Sequence, residues 1–266
     1  MKKTIISLLM PLVINVSGHE LWIQPDKFIY KRTETINLRF FTGEKFTGHT
    51  WNASKDDVDV FRLFFDDVSD KNLDNNLSKR DGDSLQIVML DEGTVVLSLQ
   101  TKNSFRDVKA EDFNEYLQQN GLTDILDYRK KNGDTIKAGL ENYQHNAKTI
   151  LQVGHRTNNI YKQKTGLPID MIPSEHPYTV SKDGNFKVKV FFWNQILKNA
   201  KVTVSHRVGS KISQLELTTD NDGEVKFFLS PQGEWMVSCV KMVRLENDLK
   251  AEWQSYQGTL TWGYTK

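Results

Sequence analysis

The sequence predicts an all-β protein with a helical insertion, built from an N-terminal β-sandwich and a C-terminal immunoglobulin- or transthyretin-like β-sandwich. Two observations carry this prediction. Short segments alternate apolar and polar residues between polar turns, whereas one internal stretch repeats its apolar residues at helical spacing. The 266-residue chain has 38% hydrophobic residues and 14 phenylalanines, which is enough apolar material for such cores.

The N-terminal unit is predicted to cover residues 19–165. Its strands are expected at residues 21–23, 35–41, 58–65, 84–90 and 94–101. Several of these segments alternate with period two, as a strand with one buried face does, so antiparallel pairing is expected.

The pattern changes at about residues 109–153, which we interpret as a helical insertion into this unit. Phe113, Tyr116 and Leu117 recur at the spacing of one helix face, and apolar residues between positions 122 and 126 do the same. A second run, at residues 140–151, is predicted to be helical for the same reason.

The C-terminal unit, residues 166–266, begins with a linker at residues 166–177 that contains three prolines. Phe186, Val188 and Val190 then alternate with lysines, and a closing strand is expected at residues 259–264. The oxygen-rich segment from Asp220 to Gly223 is interpreted as a hairpin turn, because it lacks the final glutamate of a calcium-binding EF-hand loop. Cys239, the only cysteine, alternates with apolar residues and is predicted to be a core side chain.

Residues 1–18 are predicted to be a cleaved signal peptide. Two lysines precede a short apolar stretch at residues 5–16, and Ser17 and Gly18 are small residues at the cleavage position. The mature protein is therefore expected in the periplasm or outside the cell. No later segment approaches the ~20 apolar residues of a transmembrane helix. Loss of Lys2 and Lys3 changes the formal net charge from +1 to −1, which argues against a nucleic-acid partner.

Cleavage after Gly18 would make His19 the first residue of the mature chain. Its α-amine and its imidazole could then chelate one divalent metal ion in a single ring. The amine has a pKa of about 7.7, so a fair fraction is unprotonated at neutral pH. Such nitrogen ligands suit copper(II) best, and nickel and cobalt follow in the affinity order of divalent ions. His19 is the predicted metal ligand.

The segment from His19 to Pro25, HELWIQP, resembles the start of an uncharacterised bacterial periplasmic family that is often labelled a periplasmic component of cobalt or nickel transport. The resemblance covers nearly all of the mature chain and continues at residues 43–44, 143–154, 166–173, 177–178, 219–223, 233–235, 253–256 and 260–261. It implies a protein of unassigned function that handles a transition-metal ion and works with a membrane importer. Family members often carry a histidine where this chain has Lys241. A protonated lysine is a poor metal ligand, so this departure weakens the metal interpretation.

Other readings stay open. For His49, His145, His155, His176 and His206, none of which forms a recognisable metal-ligand spacing, surface or hydrogen-bonding roles are expected. A non-catalytic interaction module for a glycan, peptide or envelope partner is the main alternative function, and a contiguous patch of Trp51, Trp193 and Trp262 would favour it. A histidine-brace copper oxidase ranks lower. The chain has no hydrolase elbow, phosphate loop, dinucleotide fingerprint or Cys-x-x-Cys, so an enzyme is not predicted.

The signal-peptide prediction is checked by the intact mass of the exported protein. We expect a mature chain that begins at His19, because the small residues Ser17 and Gly18 meet the requirement of the peptidase site. A mass that places the first residue elsewhere would contradict the chelate at His19.

Overall fold

The structure is a computed structural model that describes residues 20–66, 69–77 and 84–266 of the protein. The predicted signal peptide and His19 therefore lie outside the described residues. The strands are β1 (Glu20–Pro25), β2 (Ile29–Tyr30), β3 (Thr35–Glu44), β4 (Thr47–Thr50), β5 (Val58–Asp66), β6 (Ser69–Asn72), β7 (Leu85–Val88), β8 (Gly93–Thr101), β9 (Ser104–Val108), β10 (Gly139–Val153), β11 (Ile169–Pro173), β12 (Gly184–Phe192), β13 (Gln195–Ile196), β14 (Lys201–Val208), β15 (Lys211–Thr218), β16 (Glu224–Leu229), β17 (Glu234–Arg244) and β18 (Trp253–Gly263). The two α-helices within these ranges are α1 (Ala110–Gln119) and α2 (Thr123–Lys131).

The strands form three sheets. The largest has the order β15-β14-β17-β18-β10-β8-β5-β6, and β2 and β9 also pair with β10. A second sheet has the order β1-β3-β4 with β7 beside β3, and a third has the order β11-β12-β13 with β16 beside β12. The smaller sheets pack on the large one, and the prediction of an all-β fold with a helical insertion is confirmed.

The large sheet joins the two halves of the chain. β10 runs parallel to β18 over nine paired positions, from Glu141 opposite Trp253 to Thr149 opposite Thr261. β1 lies across this junction: Leu21 and Ile23 enter the core of the N-terminal half, whereas Trp22 packs on Met236 of β17. The core of the C-terminal half contains Cys239, as predicted; burial raises the pKa of its thiol to about 12, so the thiol is protonated at neutral pH.

The predicted helix at residues 140–151 is wrong, because these residues belong to β10. β10 is central in the sheet and is covered on both faces, so apolar side chains such as Ala147, Ile150 and Leu151 occupy consecutive positions instead of alternating. A short apolar run of this kind has no strand period and resembles a buried helix segment. The insertion therefore ends before β10 and consists of α1 and α2, whose buried face contains Phe113 and Tyr116 as predicted.

A fully buried ion pair fastens β11 to β10. The ammonium of Lys148 lies 2.7 Å from Asp170 Oδ1 and donates a second hydrogen bond to the carbonyl of Gln163. The other carboxylate oxygen accepts hydrogen bonds from the backbone and hydroxyl of Thr165. The side chains of the ion pair are only 1% and 3% exposed, so each depends on the other for compensation of its charge.

We expect Lys148→Met to destabilise the fold by about 3–5 kcal/mol, because it leaves the Asp170 carboxylate buried without its counter-ion. The double change Lys148→Met with Asp170→Leu should recover most of this loss. Urea denaturation measures the free energies of unfolding. Lys130→Met, which breaks an exposed pair with Asp127, is the matched control and should change stability by less than about 0.5 kcal/mol. Equal losses in the single and double variants would contradict the expectation.

Candidate functional site

A polar cavity of about 530 Å³ lies beside Leu21 near the start of β1. We call it the β1 cavity. Strands and loops of the N-terminal half supply most of its wall, and β18 supplies Gln257. Its lining residues are Leu21, Thr42, Trp51, Asp56, Asp57, Thr101, Lys102, Asn103, Ser104, Arg106, Tyr143, His145 and Gln257. Asp56 and Asp57, an acidic pair in the loop before β5, also belong to this wall.

The position of β1 over β18 follows a regular register. The hydroxyl of Thr261 donates to the carbonyl of Ile23, and the hydroxyl of Thr259 donates to the carbonyl of Leu21. One further step of two residues along β18 reaches Gln257. This side chain is 5% exposed, and its Oε1 has no hydrogen-bond partner among the residues that the structure describes. A buried, unpartnered amide oxygen at the wall of a cavity indicates a place where a ligand or water binds.

His145 stands directly opposite Gln257 in the parallel pairing of β10 with β18. Its backbone N–H donates to the hydroxyl of Thr101 over 3.0 Å, and its ring contacts the ring of Tyr143 edge to face at 5.7 Å. The sequence analysis placed His145 on a helix, and that position is wrong. Residues two positions apart in a strand lie on the same face, so assigning β10 as a strand would have placed Tyr143 and His145 side by side.

Arg106 forms the inner wall of the β1 cavity. Its Nε donates to Glu141 Oε2 over 2.6 Å, and Glu141 is fully buried. The guanidinium lies over the rings of Tyr116 and Tyr143, at 4.7 and 5.3 Å from their centroids. Burial opposes the charge of Arg106, but the charge and hydrogen bond of Glu141 outweigh it and raise the pKa of Arg106. Nη2 has no hydrogen-bond partner within the described ranges.

A second cavity, of about 350 Å³, lies on the other face of β1 and contains the side chain of Glu20. One carboxylate oxygen of Glu20 accepts from the hydroxyl of Ser238, and the other accepts from the backbone N–H of Lys45. Lys45 and Phe46 have positive φ angles of 55° and 64°, and Phe46 is buried under Trp22. The tight turn thus aims the N–H of Lys45 at Glu20. Burial raises the pKa of this carboxyl.

The side chains of the four other histidines in the described residues line neither of these two cavities. His176 is buried, hydrogen bonds through both ring nitrogens, and has its pKa lowered by burial to about 4, so it stays neutral. His206 stacks on Trp235 with ring centroids 3.8 Å apart. His155 is exposed, and His49 is exposed on β4. Among these four, the structure therefore shows surface positions and structural contacts.

Two other features of the sequence analysis can be compared with the structure. Lys241 lines neither cavity and lies 3.4 Å from Asp124 of α2. The segment from Asp220 to Gly223 is a hairpin turn, in which the carboxylate of Asp220 accepts backbone hydrogen bonds from the turn itself. Gly223 has a φ of 71°, which suits glycine at this position.

The tryptophans that would have favoured an interaction surface do not form one patch. Trp262 is fully buried in the C-terminal core. Trp51 is half-buried in the wall of the β1 cavity, and Trp193 is 52% exposed beside Tyr256.

Residues 20–66, 69–77 and 84–266 contain no group of three or more histidine, cysteine, aspartate or glutamate side chains arranged to hold a metal ion. The predicted ligand His19 lies outside these ranges. In the same ranges, neither helix has the length and apolar character needed to cross a membrane.

Comparison with known proteins places the chain in a group without an assigned role. A family described as a domain of unknown function, DUF4198, matches residues 16–242. No curated protein matches the chain significantly. Similar solved structures include alpha-2-macroglobulin of Escherichia coli activated by porcine elastase, with 7% identity, a TM-score of 0.19, and coverage of 92% of this chain and 20% of that one. Salmonella alpha-2-macroglobulin reacted with methylamine has 9% identity, a TM-score of 0.21, and coverage of 92% and 15%. This chain thus spans a fifth or less of their length, and likeness at these TM-scores supports no conclusion.

The raised pKa of Glu20 predicts a pH-dependent effect of Glu20→Gln. The folded state binds this proton more tightly than the unfolded state, so the wild-type protein loses stability as the pH rises from the ordinary value of 4.5 through the folded pKa. The stability of Glu20→Gln relative to the wild type should therefore be higher at pH 7.5 than at pH 4.5. Thermal unfolding at both pH values measures the difference. Glu111→Gln, at an exposed side chain of α1, is the control for removal of a carboxylate charge. A relative stability that rises as the pH falls would contradict the expectation.

Proposed function

We propose, for a chain that belongs to the DUF4198 family of unknown function, that the exported protein binds a divalent transition-metal ion at the β1 cavity. The ligands would be the α-amine and imidazole of His19, as the first residue of the mature chain, and the imidazole of His145. The protein would act as a metal-binding accessory in the periplasm, with copper, nickel or cobalt as its cargo.

The observation that carries this proposal is the position of His145 relative to the start of β1. Glu20 is fixed by Ser238 and Lys45, and the Cα atom of residue 19 is one trans peptide, about 3.8 Å, from that of Glu20. The register of β1 over β18 leads from Leu21 toward Gln257, which is the neighbour of His145. His145 thus lines a cavity that is also lined by Leu21, two residues after His19 in the chain, and no sequence motif indicated it.

The ligand chemistry supports the same class of ion. Three nitrogen donors favour copper(II), with nickel and cobalt next in order. The imidazole and amine nitrogens bind a metal ion only when the donor atom carries no proton, so the affinity should increase with pH. The wall of the cavity holds Asp56 and Asp57 as well as Lys102 and Arg106, so its formal charges balance.

The wider role rests on two supports. The predicted signal peptide favours a periplasmic location, and the resemblance to a component of cobalt or nickel transport favours delivery of the ion to a membrane importer. A histidine-brace copper oxidase would use a similar pair of histidines, but no described feature favours that reaction over binding. The interaction-module alternative loses its predicted aromatic patch because Trp262 is buried.

Metal titration of the mature protein tests the proposal. We expect one copper(II) ion per chain. His145→Ala and a form with one extra residue before His19 should each weaken binding at least tenfold, because each removes a ligand of the ion. Loss of a group that only holds a ligand in place already costs about 10–100-fold in metal affinity. Isothermal titration calorimetry with copper, nickel and cobalt measures the affinities.

The matched control is His155→Ala, because His155 is exposed and lines neither cavity. It should bind as the wild type does. Equal affinity of the extended and native forms would show that the N-terminal amine is not a ligand, and unchanged affinity in His145→Ala would remove the second histidine from the site.

A further inference from the structure

We propose that the protein forms a two-fold symmetric dimer, in which β15 of one copy pairs antiparallel with β15 of a second copy. The large sheet then continues from one copy into the other. This interaction goes beyond the proposed function and does not depend on it, because no residue of β15 lines the β1 cavity.

β15 is an unprotected edge of the large sheet. It lies at the end of the strand order, and β14 is its one neighbour in the described part of the chain. Seven of its eight residues are exposed. Its pairing with β14 runs without a bulge from Lys211 to Thr218, and the strand contains no proline. A long edge without such protection is a template for pairing with another strand.

Every second residue of β15 turns its backbone N–H and C=O away from β14. The N–H of Thr219, one residue beyond the strand, donates to the carbonyl of Ala200, next to β14. Backbone groups alternate in direction along an antiparallel strand, so those of the odd-numbered residues face β14. The outward-facing groups belong to the even-numbered residues, which are Ile212, Gln214, Glu216 and Thr218.

The two-fold axis restricts how two copies of β15 can pair. An axis perpendicular to the sheet keeps each face on its own side, so an even-numbered residue can oppose only another even-numbered residue. Outward-facing groups therefore meet outward-facing groups, and each such pair exchanges two backbone hydrogen bonds. With Leu215 on the axis, residues 212, 214, 216 and 218 of one copy oppose residues 218, 216, 214 and 212 of the other.

The side chains favour Leu215 as the residue on the axis. The two Leu215 side chains then oppose each other at a pair without backbone hydrogen bonds, where side chains approach most closely. Leu215 is 46% exposed in one copy, so this contact removes apolar surface from water. On the other face, Glu216 opposes Gln214, and Lys201 already balances the charge of Glu216 at 2.9 Å.

The adjacent axis positions match less well. With Gln214 on the axis, the apolar side chain of Ile212 would oppose the carboxylate of Glu216. With Glu216 on the axis, two carboxylates would oppose each other, and like charges directly opposite destabilise a strand pair. Leu215 on the axis avoids both mismatches.

The edge is open to a second copy. The face of β15 that carries Ile212 and Gln214 borders a groove of about 660 Å³, and the hairpin of β3 and β4 forms the other wall. The groove separates this hairpin from β15, so there is room for side chains of the second copy. The formal net charge of the chain is only +1, so two copies repel each other little.

Sedimentation equilibrium of the mature protein measures the dimer and its dissociation constant. Gln214→Pro removes an N–H that faces away from β14, a position at which an edge strand tolerates proline. It takes away two hydrogen bonds across the axis and should weaken the dimer at least about fivefold. Gln214→Ala keeps the N–H and is the matched control, which should associate as the wild type does. Circular dichroism confirms that both variants are folded.

Cysteine cross-linking tests the register. In Leu215→Cys, the two Cα atoms should lie about 4.5 Å apart across the axis, which is within the range of a disulfide. Ser213→Cys, on the same face, is the control, because its two copies lie on opposite sides of the axis and out of reach. Oxidised Leu215→Cys should form a covalent dimer at least about tenfold faster than Ser213→Cys, because its thiols meet within one complex. The native Cys239 is buried and does not compete.

Three outcomes would overturn this proposal: a single-chain mass at every concentration that the protein reaches, a dimer that Gln214→Pro leaves unchanged, or equal cross-linking of the two cysteine variants. None of them bears on the metal titration. A protein that binds no copper can still dimerise through β15, so the two proposals fail separately.

Discussion

The parallel pairing of β10 with β18 is the constraint on which the rest of the structure depends. It joins strands from the two halves of the chain into one sheet, and it sets His145 opposite Gln257. Because β1 hydrogen bonds to threonine hydroxyls of β18, the same pairing also positions the start of β1. Loss of this register would separate the walls of the β1 cavity, since they come from both halves of the chain.

Among the described residues, two buried ion pairs differ in how fully their polar atoms are paired. The ammonium of Lys148 and the carboxylate of Asp170 pair with each other, and each also hydrogen bonds to a neighbouring residue. The pair therefore holds β11 on β10 with its buried charges compensated. The pair of Arg106 and Glu141 is incomplete, because an oxygen of Glu141 and a nitrogen of Arg106 have no partner in the described part of the chain. Buried polar atoms without partners cost stability, so this pair stabilises the fold less than it would if every atom were paired.

β1 lies between two cavities with different walls. On one face, Glu20 is held by Ser238 and by the strained turn at Lys45; on the other, Leu21 borders the cavity that contains His145. The left-handed backbone at Lys45 and Phe46 is unfavourable for residues with a side chain, and burial of Phe46 under Trp22 offsets that cost.

The sequence by itself determined the all-β class, most strands that have one exposed face, the buried face of α1, the turn at Asp220 and the burial of Cys239. Each of these depends on local periodicity or on turn chemistry, which neighbouring residues record. Only the tertiary structure decided that residues 139–153 form β10, because a strand buried on both faces has no alternation to detect. It also decided the convergence of Arg106, His145 and Gln257. Contacts such as that of Asn146 with Gln257, 111 residues apart, follow from strand pairing, and no local pattern encodes which distant strand will pair.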